Sequence, residues 1–186
     1  IETQKEERLI YGSYPEIFSL PGYDLKKEYL ENIYNSYLFK DIFELVNIKN
    51  SQKIRDLLKL LAFQIGNEVS LNELAGSLDI SRERVENYID LLEKAFVVFR
   101  LSGFSRNLRK EVTKMDKIYF YDLGIRNAVI DNFKLLANRD DQGKLWENFL
   151  IVERMKYLSY EKIYASRYFW RVHTGAELDY LEENDG

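Results

Sequence analysis

The chain contains no cysteine, and it has only two prolines and one histidine among its 186 residues. Without thiols it can form neither a disulfide framework nor a thiolate metal site. A single histidine has no second histidine with which to share a zinc ion, and it would have to support a Ser-His-Asp triad alone. These shortages exclude the common disulfide-stapled and zinc-dependent classes of protein.

Long apolar runs are also missing from the sequence. We find no signal peptide and no apolar stretch long enough to span a bilayer, so we expect a cytoplasmic protein without a membrane partner. The 46% of hydrophobic and 15% of aromatic residues are nevertheless enough for a globular core. The net charge of -4 does not indicate nucleic-acid binding by the whole chain, so any such surface must be local.

The clearest local pattern is a pair of helices that begins at Ser70. Ser70 can cap the first helix, with Glu73 at the reciprocal capping-box position, and Ser81 can cap a second helix that ends near Ala95. Apolar residues recur at helical spacing on one side of each helix: Leu71, Leu74, Ala75 and Leu78 in the first, then Val85, Ile89, Leu92 and Phe96 in the second. This spacing predicts a helix-turn-helix.

A predicted hairpin follows, with one strand at 97–99 and an antiparallel partner at 118–121. The hairpin would form the wing of a winged helix. The second helix is net acidic, which argues against base readout, whereas basic residues dominate the wing. These are Arg100, Arg106, Arg109, Lys110, Lys114 and Lys117, against Glu111 and Asp116. We therefore take Arg106, Arg109, Lys110 and Lys114 as candidates for sequence-independent DNA contact; the alternative is a winged helix that packs against protein.

The remaining patterns predict an α+β chain. Residues 1–23 are interpreted as a turn-rich connection, followed by helices over 24–42 and 54–65. A further helix is predicted from 143 to about 158, and short strands at 163–164, 168–172 and 177–181. Residues 182–186 resemble a hairpin turn with no strand after it, so the sheet is expected to be incomplete.

Several motifs occur in an order that resembles a known family. They are Tyr-Gly-Ser-Tyr-Pro-Glu at 11–16, Tyr-Leu-Phe-Lys-Asp-Ile at 37–42, Lys-Ile-Tyr-Phe-Tyr-Asp-Leu-Gly at 117–124, Gly-Lys-Leu-Trp-Glu-Asn at 143–148 and Glu-Leu-Asp-Tyr at 177–180. The set resembles the C-terminal domain of unknown function of a large prokaryotic group of AAA-type ATPases. Members of that group resemble an ATPase module followed by a winged helix and a degenerate restriction-endonuclease-like fold.

The resemblance implies three parts. Residues 1–50 would be a linker and helical segment that joins an absent ATPase module, 51–122 a winged-helix domain, and 123–186 a partial nuclease-like α/β domain. It also implies that ATP binds in the absent module, that this module is a partner of the chain, and that the intact protein is an ATPase. A homo-oligomer is left open.

The restriction-endonuclease-like resemblance singles out Glu147 and Asp179 as metal and catalytic candidates. In that fold a glutamate on the first core helix and an aspartate on a following strand hold a divalent metal, and the next strand supplies a Glu-x-Lys pair. Glu177 and Asp179 share one face of their strand, and such oxygen ligands suit Mg²⁺ or Mn²⁺. The alternative is that these carboxylates cap helices, pair with Arg167 or Arg171, or belong to an inactive scaffold.

The third strand of that fold would lie beyond Gly186, so we expect this chain alone to be inactive as a nuclease. The resulting interpretation is a C-terminal, DNA-contacting domain of a prokaryotic AAA-type ATPase with an inactive nuclease-like core. Two alternatives are a stand-alone winged-helix transcriptional regulator, and a module that binds only protein.

The first prediction is that this chain does not bind ATP. A phosphate-binding loop requires a Gly, four residues, and then Gly-Lys-Ser/Thr. The one Gly-Lys pair, Gly143-Lys144, has Asn138 in place of the first Gly and Leu145 in place of the hydroxyl residue. Isothermal titration with Mg-ATP should give no binding heat, and micromolar affinity would contradict the assignment.

Overall fold

The structure, a computed structural model, describes residues 2–38, 51–105, 115–171 and 175–184. Within them the chain is a mixed α+β protein with seven α-helices and one four-stranded sheet, which confirms the predicted class. No helix in these ranges is both long enough and apolar enough to cross a membrane.

The helices are α1 (Glu2–Tyr11), α2 (Tyr23–Asn32), α3 (Ser51–Phe63), α4 (Leu71–Leu78), α5 (Arg82–Lys94), α6 (Leu123–Val129) and α7 (Gln142–Tyr160). The strands are β1 (Val98–Gly103), β2 (Lys117–Phe120), β3 (Ser166–Arg171) and β4 (Glu177–Glu183). A π-helical turn, Ile33–Leu38, extends α2, and 3-10 turns lie at Pro15–Phe18 and Leu136–Asn138.

The helix pair α4–α5 begins and ends as its capping residues predict. The Ser70 hydroxyl accepts a hydrogen bond from the Glu73 N–H at 3.4 Å, and the Ser81 hydroxyl accepts one from the Arg84 N–H at 3.2 Å. Asp79 ends α4 in the left-handed conformation, with φ of 50°, which turns the chain sharply into α5. Both predicted caps are therefore confirmed.

Strand β1 pairs with two different strands. Its first half is antiparallel to β2, with Val98 opposite Phe120, and its end is parallel to β3, with Ser102 opposite Tyr168. Strand β4 completes the sheet on the far side of β3, so the order is β2-β1-β3-β4. This sheet runs across the domain boundary predicted near residue 122, and that boundary stays a prediction.

Successive side chains of β1 and β2 point to opposite faces of the sheet, so the core has two parts. Val98, Ile118 and Phe120 pack against the helical core formed by α1 to α6. Phe99, Leu101 and Tyr119 point to the other face, where α7 and β3 cover them with Ile151, Val152 and Phe169. The first face stabilises the helix pair, and the second holds α7 against the sheet.

The outer edge of β2 is closed by side-chain and loop contacts. The buried Asn148 amide of α7 accepts a hydrogen bond from the Phe120 N–H and donates one to the Phe120 C=O, both at 2.8 Å. Gly66 N–H donates to the Ile118 C=O, and Val69 N–H donates to the Asp116 C=O. These contacts satisfy backbone groups that an open strand edge would leave unpaired.

The sequence analysis missed helix α1, which was interpreted as part of a connection. Its end, Leu9, Ile10 and Tyr11, is buried against the core. The Asn127 amide of α6 donates hydrogen bonds to the C=O groups of Leu9 and Ile10 at 3.0 and 2.8 Å. Only the end of α1 is apolar, so its periodicity was too short to indicate a packed helix.

Two further expectations about the C-terminal part were wrong. Ile163 and Tyr164 form no strand, and Glu182 and Glu183 continue β4 instead of forming a turn. On α7, Leu145 and Asn148 are buried, whereas Trp146 between them is 39% exposed. The helix and the last two strands themselves match the prediction within a few residues.

Two buried arginines connect α6 to the start of α7 through Asp141. Arg126 donates to Asp141 Oδ2 at 2.5 Å and to the Ala62 C=O at 2.9 Å, and Arg139 donates to both Asp141 oxygens. Burial raises the pKa of Asp141, but the hydrogen bonds and charges of Arg139 and Arg126 outweigh burial and lower it to about 2. The carboxylate is thus the counter-charge of both arginines.

We predict that Asp141→Asn lowers the free energy of unfolding by about 3 kcal/mol at neutral pH, since it leaves two buried arginines without a counter-charge. The folded-state pKa is depressed, so this contribution is present above the unfolded value of 3.8 and is lost as the pH falls toward 2. Denaturant unfolding at several pH values should show that the difference in free energy of unfolding between wild type and Asp141→Asn narrows as the pH falls from 3.8 toward 2. Asp140→Asn, at the exposed neighbour, is the control, and a pH-independent difference would contradict the assignment.

Candidate functional site

The two predicted site carboxylates, Glu147 and Asp179, lie near the same side chain, Lys117. The Lys117 ammonium is 3.0 Å from Asp179 Oδ1 and 3.7 Å from Glu147 Oε1, and it also forms an ion pair with Glu177. Helix α7 supplies Glu147, β4 supplies Glu177 and Asp179, and β2 supplies the lysine. We call these four residues the carboxylate–lysine cluster.

Lys117 is held at the base of this cluster by its backbone. It is paired with Leu101 of β1 on one side and bridged to Glu68 on the other, and its side chain is 2% exposed. The ammonium also lies 5.1 Å from the centre of the Phe169 ring. Burial alone would lower the pKa of Lys117, but hydrogen bonds to Glu177 and Asp179 raise it above its usual value. Lys117 is therefore a cation at neutral pH.

Both oxygens of Glu147 already accept hydrogen bonds. The Tyr119 hydroxyl donates to Oε1 at 2.5 Å, and the Lys144 ammonium donates to Oε2 at 3.2 Å. Burial, and then the hydrogen bond to Glu147, raise the pKa of the Tyr119 phenol, so it keeps its proton and remains a donor. Lys144 is fixed in turn by the C=O of Gly66 at 3.1 Å.

Gly66 leaves space for the Glu147 carboxylate. Its φ is 69°, in the left-handed region that favours glycine, and a β-carbon at this position would lie 3.1 Å from Glu147 Oε1. Gly66 also lies in the turn that follows α3. Its second role, as a wall of the cluster, depends on a fold contact between residues far apart in the chain.

The cluster does not fit a divalent metal as it stands. A magnesium or manganese site needs several oxygens directed at one open position, and here the Lys117 ammonium lies where the carboxylates meet. Among the residues that the structure describes, no group of three or more Asp, Glu, His or Cys side chains has an arrangement able to hold a metal ion. The metal role of Glu147 and Asp179 therefore stays a prediction.

Two residues assigned to the basic wing have other roles. Lys117 is the buried lysine of the cluster, and Arg100 pairs with Asp90 at 2.7 Å and with Glu93, both on α5. Neither charge is free for DNA, which corrects the count of wing charges made from the sequence. The signal that could have identified Lys117 is its position at the start of the apolar run 117–121, which predicts a buried strand.

The DNA-contact candidates Arg106, Arg109, Lys110 and Lys114 lie outside the described residues. Among the described residues, α4, α5, β1 and the start of β2 enclose a cleft of about 450 Å³ with a mixed polar and apolar lining. Arg82 lines this cleft, and the next arginine on α5, Arg84, is also exposed. Two arginines near the N-terminus of α5 are therefore accessible to solvent, and Glu86 and Asp116 line the same cleft as Arg82.

The fold and the site define an α+β chain with a carboxylate–lysine cluster built around a buried lysine. The chain belongs to the family described as a domain of unknown function, DUF8612, whose model matches residues 2–136. That match includes Lys117 and Tyr119 and ends before Glu147 and Asp179. No solved structure matches the chain.

Longer relatives align with nearly the whole chain. An uncharacterized protein of Methanocaldococcus jannaschii, MJ1544, is 27% identical over 94% of this chain and 38% of its own length. An uncharacterized protein of Mycobacterium tuberculosis, Rv2008c, is 27% identical over 94% of this chain and 39% of its own length. The chain thus spans about two fifths of these relatives. Neither name, nor the family description, mentions an ATPase or a nuclease, so that resemblance stays a prediction.

Proposed function

We propose that this chain is the C-terminal, DNA-contacting domain of a prokaryotic AAA-type ATPase, and that its nuclease-like core is inactive. The observation that carries the proposal is the convergence of Glu147 and Asp179 on the Lys117 ammonium. A helix carboxylate and a strand carboxylate meet as they would in a nuclease core, but their shared counter-ion is a lysine.

The inactive core follows from what a lysine can and cannot do. A divalent metal activates water by lowering its pKa and stabilises charge on a phosphoryl oxygen as a Lewis acid. A protonated lysine neutralises carboxylates but has no open coordination position for a water molecule. Glu147 is further engaged by Tyr119 and Lys144, so the carboxylate that α7 contributes to the cluster is not free to act as a base.

The helices α3 to α5 and the hairpin β1–β2 support a winged-helix unit. Two capped helices meet at the tight turn of Asp79, and the hairpin follows directly after α5. The loop of the hairpin contains Arg106, Arg109, Lys110 and Lys114, the residues that we propose contact DNA phosphates. Because Arg100 pairs with Asp90 and Glu93 and offsets one of their two negative charges, the acidic half of α5 repels DNA less than its sequence indicates.

The ATPase part of the proposal depends on the resemblance and on the length of the relatives. Their alignments to this chain leave about three fifths of each relative for further structure, which is enough for a nucleotide-binding module. In this proposal ATP binds in that module, and the present chain is its DNA-contacting partner. Oligomerisation would follow from the ATPase module.

We predict weak, sequence-tolerant binding to duplex DNA that the triple variant Arg106→Ala, Arg109→Ala, Lys110→Ala reduces at least tenfold. Each lost phosphate contact lowers the slope of log affinity against log salt by about 0.9, so the salt dependence should also become shallower. Fluorescence anisotropy with two unrelated duplexes at several salt concentrations measures both effects.

The matched control is the double variant Arg82→Ala, Arg84→Ala on α5. If the triple variant leaves DNA affinity unchanged and the α5 variant lowers it strongly, the proposed contact of Arg106, Arg109 and Lys110 with DNA is contradicted. Base readout by a transcriptional regulator would then be favoured. Absence of binding to either duplex would favour a module that binds only protein.

We also predict that the complete protein shows no Mn²⁺-dependent DNA cleavage that requires the cluster. Supercoiled plasmid should remain intact, or be cut at the same trace rate by wild type, Glu147→Ala and Asp179→Ala. Cleavage by wild type that both substitutions abolish would show an active core and contradict the proposal.

A further inference from the structure

We infer that Lys117 is the permanent cation of the carboxylate–lysine cluster and excludes a divalent metal from it. The inference rests on the proposed nuclease-like core and gives the physical reason for its inactivity. It assigns Lys117 a positioning role: the lysine keeps the carboxylates of α7 and β4 together without metal.

The backbone of Lys117 is fixed on both sides, so the ammonium cannot withdraw easily. Strand β1 pairs with it on one edge and Glu68 bridges it on the other. Its side chain extends beneath the carboxylates toward the Phe169 ring, at 5.1 Å from the ring centre. An arriving metal ion would have to push the ammonium into this aromatic surface and away from its hydrogen-bond acceptors.

Three cations, Lys117, Lys144 and Arg171, offset most of the charge of the four carboxylates around the site. Glu147 pairs with Lys144 as well as Lys117, and Arg171 lies 3.1 Å from Glu68 and 4.0 Å from Glu177. Carboxylates that bind a divalent ion direct unpaired oxygens at one position. Here one oxygen each of Glu177 and Asp179 is bound by the Lys117 ammonium, and the three cations leave one uncompensated negative charge to attract a second cation.

Burial increases from the solvent side of the cluster to its base. The side chains of Asp179, Glu177 and Glu147 are 54%, 30% and 13% exposed, whereas that of Lys117 is 2% exposed. A cation from solvent would therefore meet the carboxylates first, yet it would find their inner oxygens bound. The lysine is the deepest charge of the site and is the last that solvent ions can replace.

The experiment is a Mn²⁺ titration of this chain, followed by electron paramagnetic resonance of free Mn²⁺ and by the thermal midpoint. Wild type and the charge-retaining variant Lys117→Arg should bind no Mn²⁺ at micromolar concentration, and their midpoints should not change. Lys117→Met, which keeps an unbranched side chain without charge, should melt at lower temperature in metal-free buffer. Added Mn²⁺ should restore its midpoint, and Lys117→Met with Asp179→Asn should lose this restoration.

Micromolar Mn²⁺ binding by wild type that Glu147→Gln or Asp179→Asn abolishes would overturn the inference. A folded Lys117→Met variant that ignores Mn²⁺ would also overturn it. If Lys117→Met does not fold, the wild-type titration alone tests the inference. Absence of Mn²⁺ binding by wild type then supports it. None of these readings involves DNA or cleavage, so failure of the DNA-contact proposal leaves them unchanged, whereas plasmid cleavage would refute the inactive core directly.

Discussion

Strand β1 is the constraint on which the rest of the molecule depends, because it is hydrogen-bonded to both halves of the sheet. Its pairing with β2 places Lys117 at one end of the hairpin, and its pairing with β3 brings β4 alongside. The cluster can form only because both pairings exist in one strand. Separate sheets for the helical part and the C-terminal part would leave the lysine and its carboxylates on different bodies.

Local patterns predicted the parts of the fold that neighbouring residues determine. The caps at Ser70 and Ser81 and the β1–β2 hairpin are of this kind, since capping and strand pairing across one loop involve nearby sequence. Helix α1 was missed because what holds it is an asparagine more than a hundred residues away. The carboxylates of the site were found by resemblance, but their partner Lys117 was not, because it was counted with the basic residues of the wing although it begins the apolar run 117–121.

Several basic residues of this acidic chain are internal counter-charges. Arg126 and Arg139 share Asp141, Arg100 binds the acids of α5, and Lys117 binds the cluster. Each removes a positive charge from the surface and ties together elements distant in the chain. Local runs of basic residues therefore overestimate the cationic surface, and the basic residues between 106 and 114 carry much of the charge that the proposed DNA contact requires.

The amide of Asn148 has a consequence for the rotation of α7. It binds both backbone groups of Phe120, so it fixes the helix at one angle and one height against the edge of the sheet. The adjacent Glu147 is thereby aimed at Tyr119 and Lys117. Each residue of an α-helix advances by about 100°, so a slip of one position would swing the carboxylate away from its donors. Asn148 thus fixes the rotation of α7 about its axis, and with it the direction of the Glu147 side chain.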